Sequence, residues 1–258
     1  MPARPLTFVA LEGLPEVRPG DDLVSLMIDA AARDTAFGDV QDGDVLVLAQ
    51  KVVSKSEDRF VALDSIDPSA EAHALAVRCR KDPRLVELVL RESSEIVRVA
   101  PNVLIARHRL GFVVANAAID QSNVPGAEAR ALLLPVDPDA SARRFAESLH
   151  ARMGVRIAVL IADSFGRPWR MGVCGVCVGC AGLESLVDLR GHADREGRTL
   201  QVTQLAVADQ LCAAASMVLG EAAEGRPMVR VRGVPEAYLR TSRGARELVR
   251  PIAEDLFR

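Results

Sequence analysis

Asp120 and Asp163 each close a short apolar stretch, and each is trailed by hydroxyl or amide side chains. The first lies in Asn116-Ala-Ala-Ile-Asp-Gln-Ser-Asn-Val124. The second lies in Val155-Arg-Ile-Ala-Val-Leu-Ile-Ala-Asp-Ser-Phe-Gly-Arg-Pro-Trp-Arg170. Carboxylate, hydroxyl and amide oxygens suit a hard cation, and Mg²⁺ typically takes one or two carboxylates plus phosphate oxygens. Placement on parallel or adjacent strands would bring Asp120 and Asp163 to one ion. Cationic side chains stand close by in the chain: Lys51 and Lys55 in Gln50-Lys-Val-Val-Ser-Lys55, and Arg167 and Arg170 around Trp169. A lysine there can hold a phosphate as a point charge. The competing reading is plain: Asp and Ser are frequent turn formers, and most lysines are simply solvated. The spacing alone leaves both open.

The elements that would position these residues emerge from pattern. Ile157–Ala162 is an unbroken apolar run closed by Gly and Pro, which predicts a buried strand ending in an Asp-Ser-Phe-Gly loop. Groups at the C-terminal mouth of such a strand sit where α/β proteins tend to place their chemistry. Val45–Ala49 is a second short strand, with Gln50–Lys55 at its exit, and Leu6–Ala10 reads as an edge strand. Residues 23–31 repeat at helical spacing behind a cap at Asp21 or Asp22. Residues 69–90 read as one or two helices interrupted at Asp82-Pro83. Strands are predicted over 92–99, 102–108, 111–114, 199–204 and 228–231. Asp137 caps a helix running to Met153, and Gly154 ends it. A further Ala-rich helix spans 206–223 with Thr203 as its cap, leaving free amides at Thr203 and Gln204 that could hold a phosphate.

Composition narrows the class. With 258 residues the chain can bury a sizeable core, and only 3% of it is aromatic, so that core must be Val, Leu, Ile and Ala. A net charge of −3 argues against a general nucleic-acid binder. No apolar run is long enough to span a bilayer, and the N-terminus lacks a signal-peptide pattern. Five cysteines, bunched and odd in number, do not form a secreted disulfide framework, so a reducing cytoplasm is expected. Cys174, Cys177 and Cys180 have C-x2-C-x2-C spacing, which invites zinc or an iron–sulfur cluster. The Gly/Val-rich run reads as a strand, however, with Cys174 and Cys177 on opposite faces; buried free cysteine is the commoner outcome. His192, in a charged loop, has no nucleophile beside it. The Rossmann fingerprint and the P-loop are absent.

The ordered set GLPEV, AQKVVSK, ANAAIDQSNV, DSFGRPWR and TQLAVADQLCAAASMVLGE resembles the coenzyme F420-0:L-glutamate ligase family (CofE-type γ-glutamyl ligases) over nearly the whole chain. The resemblance implies an α+β fold of mixed sheets and flanking helices, in two intimately associated subdomains forming a single ligase module. It further implies a cytoplasmic homodimer that uses GTP, Mg²⁺ or Mn²⁺ at two sites and K⁺, and that adds L-glutamate to coenzyme F420-0. Carried across, Leu14, Pro15, Glu16 and Val17 line the GTP site with Gln50, Lys55 and Asn123. Val202, Thr203, Gln204, Leu205, Ala206, Val207, Ala208 and Asp209 wrap its phosphates. Asp120 and Asp163 bind the first metal, and Ser164 and Gln204 the second; Lys55 and Arg167 hold the γ-phosphate. The chain departs from the family pattern at several positions: Ala118 replaces a common Gly, Gln204 replaces a Glu seen in some members, Cys174-Gly175 stands where several relatives carry Thr-Asp, and Gln50 sits where other members can have a small hydroxyl residue. Some bacterial relatives continue into a flavin-binding domain, which is not expected in a chain ending at Arg258. Other readings stand beside it: a metal-dependent GTP-binding regulator without catalysis, a cysteine-metal protein built on Cys174, Cys177 and Cys180, and a ligase of the same family with a different acid acceptor.

Overall fold

The structure, a computed structural model, describes residues 5–126, 128–240 and 243–255. In chain order these form β1 (Thr7–Ala10), α1 (Leu23–Ala31), β2 (Val45–Ala49), α2 (Gln50–Ser56), β3 (Phe60–Ala62), α3 (Ala70–Cys79) and α4 (Pro83–Arg91). Next come β4 (Ser93–Ala100), β5 (Val103–His108), β6 (Val113–Ala115), β7 (Arg130–Leu132), α5 (Pro138–Met153), β8 (Ala158–Arg167) and β9 (Arg170–Ala181). The last elements are β10 (Val187–Asp188), β11 (Gln204–Leu205), α6 (Val207–Leu219) and β12 (Met228–Arg232). The fold is α+β, with helices packed on mixed and antiparallel sheets. Arg258 lies outside the described residues. No helix among the described residues is long and apolar enough to cross a membrane.

The central sheet runs β1-β12-β2-β8-β9, with β2 and β8 parallel and the other pairs antiparallel. Alternation along β2 and β8 feeds two cores, because successive side chains of a strand point to opposite faces. Leu46, Leu48, Val159 and Ile161 pack with Met27 of α1 and Phe145 and Leu149 of α5. Val45, Val47, Ala158 and Leu160 pack under α6 against Leu211, Cys212 and Ala215. A third core joins α3 and α4 to β5 and takes in Ala117 and Ile119, which anchors the segment leading to Asp120.

Local signals account for most boundaries. Asp22 caps α1 through the Val24 and Ser25 amides, Asp82-Pro83 opens α4, and Asp137-Pro138 opens α5, which Gly154 closes in a left-handed conformation. Three expectations are corrected. First, the Asp163–Arg167 segment is strand, not loop: β9 continues the ladder, pairing Ser164 with Gly175 and Phe165 with Cys174. Asp163 and Ser164 are therefore not turn residues. Second, Gln50–Ser56, read from sequence only as the polar exit of β2, folds as a helix. Third, Thr203 does not cap α6. Gln204 and Leu205 pair with Asp188 and Val187 as β11 on β10, and the helix starts behind Ala206 without a side-chain cap.

The cysteine run has its own explanation. Register jumps from Ile161↔Gly179 to Ala162↔Cys177, so Val178 is an extra residue in a β-bulge. A bulge reverses the facing of the residues beyond it, and it turns Cys177 and Cys180 toward the same core, where Cys212 also lies. Carboxylates of two helices take the bulge amides: Cys177 N–H donates to Asp209 at 2.8 Å, and Cys180 N–H to Asp139 at 2.8 Å. The glycines here make room for those helices. A Cβ at Gly175 would meet the Cys212 carbonyl oxygen at 2.5 Å, and one at Gly179 the Pro138 carbonyl oxygen at 2.6 Å.

Candidate active site

β2 leaves the sheet at Ala49, while its parallel neighbour β8, paired Ala49↔Ala162, runs on. The gap beyond that point is the floor of a cleft of about 810 Å³. Asp163 and Ser164 enter it from β8, and Gln50, Lys51 and Lys55 from α2. Leu14–Val17 form one wall, residues 120–125 another, and the loop after α6 a third.

Asp120 is carried in by an unusual backbone. Asn116, Ala117 and Ala118 all have positive φ, at 53°, 53° and 56°, a left-handed conformation that costs an L-residue roughly 1–2 kcal/mol. Beyond it, Asp120 exchanges backbone hydrogen bonds with Leu132 at 2.9 and 2.8 Å, which fixes its position. Lys51 Nζ sits 3.5 Å from Asp120 Oδ2 and donates to Ser122 Oγ at 2.8 Å. Asn123, itself at φ 55°, donates from Nδ2 to the Ala222 carbonyl at 3.2 Å and ties two walls together.

Electrostatics single out the two acids. Burial pushes Asp163 up to about 7, and the neighbouring charge of Asp120 adds to the rise, as does Glu221; the Ser164 amide and Lys51 oppose it. Burial also raises Asp120, against the pull of Lys51. Two desolvated carboxylates, close enough that the charge of Asp120 raises Asp163, are costly without a cation. Ser164 Oγ lies 2.7 and 2.8 Å from the two carboxylate oxygens of Glu221. Gln50 is buried, its Nε2 donates to Ser54 Oγ at 2.6 Å, and its Oε1 has no partner among the described residues. The donor set is oxygen throughout, which fits a hard divalent cation whose other positions are filled by phosphate and water. Among the described residues no three His, Cys, Asp or Glu side chains gather as a closed metal cage. Such an ion therefore depends on its substrate for the rest of its shell.

The cleft brings together Leu14, Pro15, Glu16, Val17, Gln50, Lys55, Asp120, Asn123, Asp163 and Ser164. It does not include the segment 202–209. The C-terminal end of α6 lines the cleft through Ser216 and Leu219, and thirteen residues put the other end about 18 Å away. Gln204 is exposed on β11, and Asp209 holds the β9 bulge. Arg167 stands at the hairpin tip opposite Arg170, outside the cleft lining. Lys55 is not a free cation either, since its Nζ is 2.5 Å from Glu16 Oε1. The lysine that reaches the acids is Lys51, one helical turn earlier. Sequence reasoning did not single out Ser122 or Glu221, and it gave the site role to Lys55 instead of Lys51. Lys51 was visible inside AQKVVSK, and Glu221 as the last residue of the helix motif.

A family profile described as F420-0:Gamma-glutamyl ligase matches residues 13–233. The chain belongs to that family. Its relatives include the coenzyme F420:L-glutamate ligase of Methanothermobacter thermautotrophicus, 46% identical over 98% of this chain and 99% of the relative. That of Methanopyrus kandleri is 44% identical over 94% of each chain, and that of Haloarcula marismortui 42% identical over 86% and 85%. The F420-0:gamma-glutamyl ligase match takes in every residue that lines the cleft.

Proposed function

We propose that this chain joins L-glutamate to the carboxylate of coenzyme F420-0 at the expense of GTP, with Mg²⁺ or Mn²⁺ held at Asp120 and Asp163. One observation supports this above the rest. Two half-buried carboxylates from distant parts of the chain line one cleft beside Lys51, the charge of one raising the other, in a protein of a ligase family. An amide from a carboxylate requires an activated acid. Transfer of the γ-phosphoryl group to the acceptor gives an acyl phosphate and releases GDP. The amine of L-glutamate then attacks the acyl carbon and expels phosphate. A divalent cation supplies charge neutralisation to the phosphates. The chain's own groups position the polyanion: Lys51 and Lys55 as point charges, the latter exchanging Glu16 for phosphate, with Leu14–Val17 and Asn123 as walls. Catalysis of this kind is positioning and electrostatics, and no covalent nucleophile is required.

Arg167 and residues 202–209 lie outside the cleft of their own chain, and a second copy is the route by which they would reach the nucleotide. A homodimer would also cover the β8–β9 tip, where Trp169 and Met171 are almost fully exposed. Light scattering of the purified protein tests the dimer. The activity test is incubation with deazaflavin acceptor, L-glutamate, GTP and Mn²⁺. The expected result is an acceptor heavier by one or more glutamyl residues, with GDP formed only when both acceptor and glutamate are present. Binding of GTP with no turnover under those conditions would instead make the protein a nucleotide-binding regulator.

A further inference from the structure

A second cavity, of about 270 Å³, lies beside β9, the last strand of the central sheet. We infer that it seats the fused ring of the deazaflavin acceptor, so that only the reacting carboxylate of that molecule enters the Asp120–Asp163 cleft with the nucleotide. The inference rests on the ligase reading above and deepens it, by giving the two ends of the acceptor separate places.

The walls suit a flat ring. Phe112, Val113, Phe165, Val176 and Leu248 line the space, an apolar and aromatic surface with few polar groups, as ring-binding pockets have. Aromatic residues are scarce in this chain, which has seven phenylalanines, one tryptophan and one tyrosine. Two of them meet here: Phe112 and Phe165 pack edge to face, centroids 6.1 Å apart and planes at 70°. A planar heterocycle gains from stacking or edge contacts against such a pair. The polar handle is Arg107, which is 7% exposed. A guanidinium has five N–H donors, yet among the described residues this one makes a single hydrogen bond, from Nη1 to the Gly111 carbonyl at 3.3 Å. Its Nε has no hydrogen-bond partner. Glu95 and Asp255 each stand 3.5 Å from it, near enough to balance its charge but beyond ordinary hydrogen-bond length. Donors to spare at the wall of an apolar slot match the ring carbonyls of a deazaflavin. Asp209 also faces the space, already engaged by the Cys177 amide.

The other two substrates fit this space less well. L-Glutamate carries three charged groups, and apolar walls would strip their water without replacing it. The nucleotide already has the larger cleft, with its lysines and acids. Position supports the acceptor as well. Phe165 follows Asp163 by two residues on β8, which puts both on one face of the strand about 7 Å apart. Val176 is the direct partner of Asp163 across the β8–β9 ladder. The segment from β6 onward joins the two spaces again, with Val113 in the cavity and Asp120 in the cleft. Among the described residues none lines both. The acceptor has an aromatic ring at one end and a carboxylic acid at the other, joined by a flexible polyol-phosphate arm. Such a molecule calls for an apolar slot and a charged cleft side by side, and the fold supplies both.

The test is a fluorescence titration of the full chain with a fragment of the acceptor, the deazaflavin ring bearing its polyol but no phosphate arm. The wild type is expected to bind it, and a saturating non-hydrolysable GTP analogue is expected not to displace it. Val113→Trp fills the cavity from its open side, where Val113 is 41% exposed, and should weaken the fragment at least about tenfold. Phe112→Leu keeps the apolar bulk but removes a ring, and should cost about threefold to tenfold. In turnover with the complete acceptor, both variants should raise the acceptor KM by similar factors and leave the KM for GTP unchanged. Thermal melts establish that each variant folds; if Val113→Trp does not, Phe112→Leu decides. A wild type that does not bind the fragment overturns the inference, as does fragment binding that is unchanged in the folded variants. Displacement by the GTP analogue also overturns it, because the ring then shares the nucleotide cleft. In each of these cases glutamyl transfer to the complete acceptor leaves the ligase reading standing. Fragment binding that follows the variants, with no glutamyl transfer by the wild type, sinks the ligase reading and keeps the cavity as a deazaflavin site.

Discussion

Four partly or fully buried aspartates divide into two pairs with opposite treatment. Asp139 and Asp209 are raised by burial, and each is compensated by backbone amides of the β9 bulge or the C-terminal segment. Asp139 Oδ1 accepts from both Cys180 N–H and Ala245 N–H at 2.8 Å. Asp120 and Asp163 are raised by burial too, but Asp163 is raised further by the charge of Asp120, with Lys51 as the neighbouring cation. The protein completes the first pair from its own backbone and leaves the second wanting positive charge. Burial of a carboxylate is thus no guide to function in this chain; what distinguishes the functional pair is that its compensation has to come from outside.

The largest effect that can break this contrast is at Asp163. Asp163→Asn keeps the shape and removes the charge, and it is expected to lower glutamate-dependent GDP release by at least about a hundredfold. Stability should move the other way. Asp163 has a folded pKa of about 7 against an ordinary value of 3.8, so between those values the folded chain binds a proton that the unfolded chain has lost. Stability of the cation-free protein therefore falls as pH rises from about 4 to about 7. Thermal melts across that range should show the decline in the wild type and a flatter profile in Asp163→Asn. Full activity with reduced stability would make Asp163 a structural carboxylate like Asp139.

Asp139→Ala probes the other pair. It strands two backbone amides at the junction of α5, β9 and the C-terminal segment, at an expected cost of about 2–3 kcal/mol, measured as a shifted urea midpoint. Turnover per folded molecule should hold, because Asp139 does not line the cleft. A loss of turnover without a loss of stability would dissolve the division between the two pairs.

Much of the framework was readable from local chemistry. The apolar runs at β2 and β8, the cap-and-proline pairs at Asp82-Pro83 and Asp137-Pro138, and Gly154 all act within a few residues of themselves. The two acids stood out in the same way, by residue type and by their place after an apolar run. Long-range pairing was not readable. Only the partner β9 shows that β8 continues through Asp163–Arg167, and only the Val178 bulge turns Cys177 and Cys180 to one side. Whether Lys51 or Lys55 meets the acids depends on the helical phase of α2, and the seven residues Gln50–Ser56 read equally well as a polar loop or a short helix. Glu221 stands 57 residues from Ser164, and no spacing rule connects them.

The smallest effect tests whether the cleft side also carries backbone strain that the β9 side does not. Ala118 is held at φ 56°, and the residue is only 8% exposed. Ala118→Gly deletes its methyl, worth about 0.8 kcal/mol, and adds about 0.5–1 kcal/mol of backbone entropy to be lost on folding. It also relieves roughly 1–2 kcal/mol of left-handed strain, so the net change should stay within about 0.8 kcal/mol of zero. Ala215→Gly makes the same chemical change in the middle of α6, where the residue is fully buried and the backbone is ordinary helix. With nothing relieved, it should cost about 2 kcal/mol. The gap between the two urea midpoints is the strain stored behind Asp120. Equal losses in both variants would mean that the left-handed turn costs the fold nothing, and that the cleft differs from the bulge in electrostatics alone.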